Sequence, residues 1–154
     1  MASPQQLEVD LELKCNIEKV WDCMKNATTV LPEAFPHKFD SFEVLEGDGI
    51  HAGTVYNVKF KPGHPISSSK DKVELVDEEK KIYVKRIVDG DFMKFFNEFK
   101  IKIVLSPKGD HVTSLKWGCE FVKASEDVPI KADNIMADAV NTIQVLEAYI
   151  LKKE

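Results

Sequence analysis

Between Ser41 and Lys123 the turn signals come too close together for the strands between them to pair in any way but antiparallel. Strand-like runs at about Ser41–Glu46, Thr54–Lys61, Ser67–Val76, Lys81–Asp89, Asn97–Ser106 and Val112–Lys123 carry the apolar and β-branched residues. They are punctuated by Glu46-Gly47-Asp48-Gly49, Pro62-Gly63-His64-Pro65, Asp77-Glu78-Glu79, Asp89-Gly90-Asp91 and Pro107-Lys108-Gly109-Asp110. A parallel pair needs a crossover of about a dozen residues or more, usually a helix, and these gaps hold none. The middle of the chain is therefore a meander.

A further strand precedes it. Leu7, Val9, Leu11, Leu13 and Cys15 alternate with Glu8, Asp10, Glu12 and Lys14, the pattern of a sheet with one wet face. Asn16 is placed to cap a short helix at Ile17–Lys25, on which Val20, Trp21 and Met24 share a face. A second short helix is expected from Thr28 to Ala34, ended by Pro36. The chain closes on its longest helical pattern, Pro129 to Lys152. There Ile135, Ala139, Val140, Ile143, Leu146 and Ile150 form one stripe, and Pro129 suits the first turn. One long helix covers one face of a seven-stranded sheet only if the sheet curls around it. Where the curl is wider than the helix, a cavity remains. The fold class is α+β: a curved seven-stranded antiparallel sheet around a long C-terminal helix, with two short helices after the first strand. No repeat, low-complexity tract or linker divides residues 1–154, which read as one domain.

The net charge of -5 argues against nucleic acid, whose binding needs a basic surface to release counterions, and against an anionic membrane. Cys15, Cys23 and Cys119 are odd in number and form no CxxC, so neither a disulfide scaffold nor a zinc knuckle is expected. Met-Ala-Ser-Pro-Gln-Gln has no secretory-signal pattern, and no apolar run reaches the length of a membrane span. A cytoplasmic protein, a monomer or weak dimer with no metal and no cofactor, is the expectation.

The order of elements and several local stretches resemble the birch-pollen-allergen (pathogenesis-related class 10) superfamily, most closely its major latex protein-like branch in plants. The stretches are Leu31-Pro32-Glu33-Ala34-Phe35-Pro36, Val44-Leu45-Glu46-Gly47-Asp48-Gly49, Gly53-Thr54-Val55, Val88-Asp89-Gly90-Asp91 and Val145-Leu146-Glu147-Ala148-Tyr149-Ile150-Leu151. They run along nearly the whole chain in the family's order and spacing. The loop Glu46–Gly53 holds fewer glycines than the superfamily's usual glycine loop. The resemblance implies a helix-grip fold enclosing a large hydrophobic cavity. Relatives bind flavonoids, sterols, cytokinins, fatty acids or alkaloids, and a minority act as enzymes of plant specialised metabolism. Fold alone does not choose between these roles.

Alternation together with the family's facing points Val58, Phe60, Ile66, Ser68, Tyr83, Ile87, Phe99, Ile101, Leu115, Trp117 and Cys119 inward. Met24 and Leu31 close one end, and Ile135, Ala139, Thr142 and Leu146 face the space from the helix. Periodicity alone fits a solid core equally well. On the strand Lys81–Asp89 one face carries Tyr83, Lys85 and Ile87, and the other Ile82, Val84, Arg86 and Val88. Each face thus includes one cation, and it is the family's facing that places Lys85 inside. Asp138 and Thr142 lie four apart at the edge of the helix stripe. A Lys85–Asp138 pair, with Tyr83, would supply polarity or protons for acid–base chemistry. The competing reading has Lys85 snorkelling to the rim and Asp138 in solvent. Asp71, with Lys70 and Lys72, reads as an ordinary solvated strand end, and the four histidines as loop residues. Gly47, Gly49 and Gly53 read as a hairpin needing positive φ, with a second reading as a gate at the cavity mouth.

Overall fold

The structure, a computed structural model, describes residues 3–153. Met1 and Ala2, part of the stretch read as lacking a secretory signal, and Glu154 lie outside the described residues. In chain order the elements are β1 (Gln5–Leu13), α1 (Ile17–Lys25), α2 (Ala27–Ala34), β2 (Phe39–Glu46), β3 (Val55–Phe60), β4 (Ser68–Asp77) and β5 (Ile82–Asp89). A 3₁₀ turn (Asp91–Lys94) then leads to β6 (Phe96–Gly109), β7 (Val112–Lys123) and α3 (Ala132–Lys152). The strands form one curved antiparallel sheet in the order β1-β7-β6-β5-β4-β3-β2, a meander from β2 to β7 with β1 returning to its far edge.

Local chemistry accounts for each piece. β1 alternates half-buried and exposed as its apolar and charged residues alternate, and Leu7 pairs with Cys119 in the ladder to β7. Asn16 accepts from the Glu18 N–H at 2.9 Å and starts α1, which buries Val20, Trp21 and Met24 at helical spacing. The Trp21 indole N–H donates to Glu78 at 2.7 Å and the Lys25 ammonium reaches the same carboxylate, so the β4–β5 turn grips α1. α2 follows after the single residue Asn26, holds Pro32 within it and buries no residue. It starts one residue before the expected Thr28 and stops at the expected Ala34, with Phe35 as its cap.

α3 starts at Ala132, three residues later than its pattern suggests. Lys131 is extended at φ -97 and ψ 155, so Pro129 belongs to the approach, and Lys131 makes no side-chain cap bond. The 21 residues that remain span about 31 Å at about 1.5 Å each. Ala139, Ile143, Leu146 and Ile150 are the buried stripe, while Ile135 and Val140 are half-buried. Glu147 accepts from the Lys14 N–H at 2.7 Å, which ties α3 to the end of β1.

The Glu46–Gly53 segment is the hairpin connection between β2 and β3. Gly47, Gly49 and Gly53 all have φ between 83 and 95, and Asp48 accepts from the Ile50 and His51 N–H groups at 2.9 Å each. β4 breaks its alternation at a register shift between Val73 and Leu75: Val73 is buried, whereas Leu75 is 42% exposed.

Candidate functional site

A cavity of about 590 Å³ lies between the sheet and α3. Its sheet wall takes Val58 and Phe60 from β3, Tyr83, Lys85 and Ile87 from β5, Phe99 and Ile101 from β6, and Leu115 and Trp117 from β7. Met24 and Leu31 face it from the short helices, and Ile66 from the β3–β4 connection. Ile135, Asp138, Ala139, Thr142 and Leu146 line it from α3. The side chains do not fill the curl, so the solid-core reading fails.

Two expected lining residues are absent. Ser68 is off by one position: Ser69, Asp71 and Val73 are the buried parity of β4, and the Ser68 hydroxyl accepts from the Asp91 N–H at 3.1 Å. Cys119 is buried, but between Leu7 and Ile101 in register its short side chain does not reach the cavity. Burial pushes its thiol up to about 12, the reverse of what a nucleophile needs.

Lys85 does point inward, and its partner is not Asp138. Its ammonium donates to Asp71 Oδ2 at 2.9 Å and to the Tyr56 hydroxyl at 3.3 Å. Asp71, read from sequence as solvated, is 2% exposed. Burial opposes the Lys85 charge, but Asp71 and then Tyr83 outweigh it and hold the ammonium above the usual lysine range. Burial raises both phenols; at Tyr56 the neighbouring Tyr83 and Asp71 add to it. The sheet wall therefore presents a fixed cation and two protonated phenols at neutral pH.

Asp138 pairs instead with a residue that the sequence did not single out. Lys38, just before β2, donates to Asp138 Oδ2 at 2.8 Å and to Thr142 Oγ1 at 2.9 Å. The Thr142 hydroxyl in turn donates to the Asp138 carbonyl at 2.9 Å. Burial pulls the Lys38 ammonium below the usual lysine range, and Asp138 pulls part of the way back. Asp138 stays 54% exposed, so this bridge stands at the edge of the cavity and joins α3 to the β2 side of the wall. Lys38 also lies over the Phe39 ring, 5.2 Å from its centroid.

Sequence reasoning also missed Phe39, Phe42, Tyr56, Ser69, Phe92, Phe96 and Ile143 in the lining. His64 is no plain loop residue. It stacks on Phe60 with ring centroids 4.4 Å apart and lines the cavity. No residue of Glu46–Gly53 lines it, which leaves the gating reading of that loop without a footing. The arrangement suits an apolar molecule held by burial and oriented by a few polar groups, with each cation already matched by a carboxylate.

The model of the pathogenesis-related protein Bet v 1 family matches residues 2–153. The chain is 31% identical over 149 residues to MLP-like protein 423 of Arabidopsis thaliana, covering 96% of this chain and 94% of that protein. It is 31% identical over 127 residues to major latex protein 146 of Papaver somniferum, covering 81% and 78%. Among solved structures, ginseng major latex-like protein 151 from Panax ginseng superposes with a TM-score of 0.85 at 17% identity, over 96% of this chain and 98% of that one. Norcoclaurine synthase from Thalictrum flavum, in complex with dopamine and hydroxybenzaldehyde, superposes at 0.83 with 21% identity, over 99% and 90%. At those identities the two superpositions speak for the fold.

Proposed function

Because the chain belongs to the Bet v 1 family, we propose that it binds a hydrophobic small molecule in the cavity beneath α3, as a cytoplasmic carrier or buffer of a plant metabolite. The observation that carries this reading is the 590 Å³ space walled mainly by aliphatic and aromatic side chains. Terpenoids, sterols, flavonoids, hormones and alkaloids are the candidate classes. Burial of apolar area, about 25 cal/mol per Å² before the costs of association, would supply most of the affinity. Incubation of the protein with a plant extract, followed by mass spectrometry of what co-purifies, tests the proposal. An apolar molecule that leaves chemically unchanged supports it. A protein that retains nothing above a cavity-filled Ala139→Trp control counts against it.

A second reading is favoured by one observation, Lys85 beside Tyr83 on the cavity wall. An enzyme of specialised metabolism could use that cation and phenol to polarise a reactive precursor and guide its cyclisation or isomerisation, with most of the rate coming from orientation. Asp138, engaged by Lys38, would act as a proton acceptor only after that bridge opens. In the same extract assay, a changed product ratio that survives in Asp138→Asn but not in Lys85→Met supports catalysis. Unchanged products with both variants dismiss it.

A further inference from the structure

The polar cluster on the sheet wall is incomplete in a specific way. Asp71 takes Lys85 on Oδ2, while its Oδ1 is, among the described residues, the one buried side-chain oxygen or nitrogen without a hydrogen-bond partner. A carboxylate oxygen left unpaired in an apolar wall carries a desolvation penalty that a donor would remove. Lys85 is unfinished in the complementary sense. An ammonium has three N–H donors, and two are spent, on Asp71 and on Tyr56. An unpaired acceptor and an unspent donor thus belong to two side chains 2.9 Å apart, both lining the cavity.

One ligand group satisfies both. A hydroxyl donates once and accepts as well, whereas an ether or ketone oxygen accepts only and leaves Asp71 Oδ1 bare. The charge balance narrows the choice further. Lys85 is matched by Asp71 and Lys38 by Asp138, so a ligand carboxylate or ammonium would bring an uncompensated charge into an apolar space. We propose that Asp71 and Lys85 form a subsite for one neutral hydroxyl. The hydroxyl accepts from Lys85 Nζ and donates to Asp71 Oδ1, which is covered in this structure and comes to the cavity surface by a small turn of the carboxylate, so that hydroxylated apolar molecules are taken in preference to hydrocarbons, ethers and fatty acids. This inference rests on the reading of the cavity as a ligand site and names the class of ligand that the site selects.

Isothermal titration with three matched probes decides it: 4-phenylphenol, 4-methoxybiphenyl and biphenyl-4-carboxylate. In the parent protein 4-phenylphenol should bind about tenfold more tightly than 4-methoxybiphenyl, about 1.4 kcal/mol, and also more tightly than the carboxylate. In the Asp71→Leu/Lys85→Met double variant, checked for its fold by circular dichroism, the phenol's advantage should shrink to about twofold or less, while 4-methoxybiphenyl still binds. Equal binding of phenol and ether by the parent, as expected if only a water serves Oδ1, overturns the inference and leaves the cavity reading intact. Tightest binding by the carboxylate, or an advantage that persists in the double variant, does the same. Failure of all three probes to bind the parent overturns both readings. If the double variant does not fold, the ranking in the parent decides alone.

Discussion

Gly90 shows how much a single position can fix. Its φ of 91 with ψ -178 is a region that side chains do not share, and a Cβ there would meet the Ser69 Cα at 2.8 Å. Gly63 has a similar φ of +97 but open space around it. Denaturant titration should therefore find that Gly63→Ala costs about 1–2 kcal/mol and Gly90→Ala about 3 or more, since only the second adds a backbone clash to strain. The buried ion pair makes a second case. Lys85→Met alone strands Asp71 and should cost about 3–5 kcal/mol, and the Asp71→Leu/Lys85→Met double variant should recover much of that. The pair also sets an alkaline signature. The Lys85 pKa lies above the 10.5 of the unfolded chain, so its stabilisation is complete below pH 10.5 and is lost as pH rises through the folded value. Unfolding free energies measured from about pH 9 to 12 should fall more steeply for the parent than for the double variant. Lys38, whose pKa is lowered, runs in the opposite sense but is common to both proteins and cancels. Asp71 itself was hidden from sequence by its neighbours. Charged Lys70 and Lys72 flank it, and the register shift after Val73 breaks the alternation that would have put Asp71 on the inner face. A buried carboxylate looks like a solvated one until its partner strand is known.

Elements were legible where their period was uninterrupted. β7 and α1 begin and end where their patterns do, because each has a clear boundary: the cap at Asn16, the turn at Gly109-Asp110. The sequence pattern makes α3 too long because Pro129 fits a first turn as well as it fits the extended approach that the chain adopts. The partner of its polar face is not legible in the pattern either. Lys38 lies 100 residues away from Asp138, and no local pattern links them. That bridge makes an element-scale prediction. If α3 must part from the β2 side to admit a ligand, Asp138→Asn should speed both uptake and release of 4-methoxybiphenyl in stopped-flow fluorescence. The gain should be about fivefold or more, since an exposed ion pair is worth up to about 1 kcal/mol and Lys38, only 10% exposed, loses its counter-charge. The brace formed by α1 is a packing matter instead. Trp21 is fully buried, and Trp21→Ala should cost about 3–5 kcal/mol in urea titration.

At the scale of the molecule the sheet, its meander and the gripping helix could be argued from turn spacing and the apolar stripe, since short connections leave little topological choice. The size of the cavity could not, because it depends on how far the sheet curls, and alternation says only which residues face inward. A cavity that binds gives a measurable gain. At a concentration of 100 times its dissociation constant, a ligand adds about 2.7 kcal/mol of stability, and for a chain of 154 residues the melting temperature should rise by about 5–10 °C. A titration of 4-phenylphenol followed by thermal denaturation reads that shift.

The strand order has a consequence for synthesis. Hairpins from β2 to β7 close over connections of two to eight residues, so each can form soon after its second strand is made. β1 is made before the other six strands of this sheet, yet among the described residues its ladder is to β7, where Gln5 meets Phe121. At about 5–20 residues per second, β1 waits for several seconds with its apolar row unpaired. Closure of the wall by β1, and the docking of α3 that follows, therefore come after the other six strands have been made. A nascent chain stalled before β7 should expose Leu7, Val9, Leu11 and Leu13 to any chaperone that reads such rows.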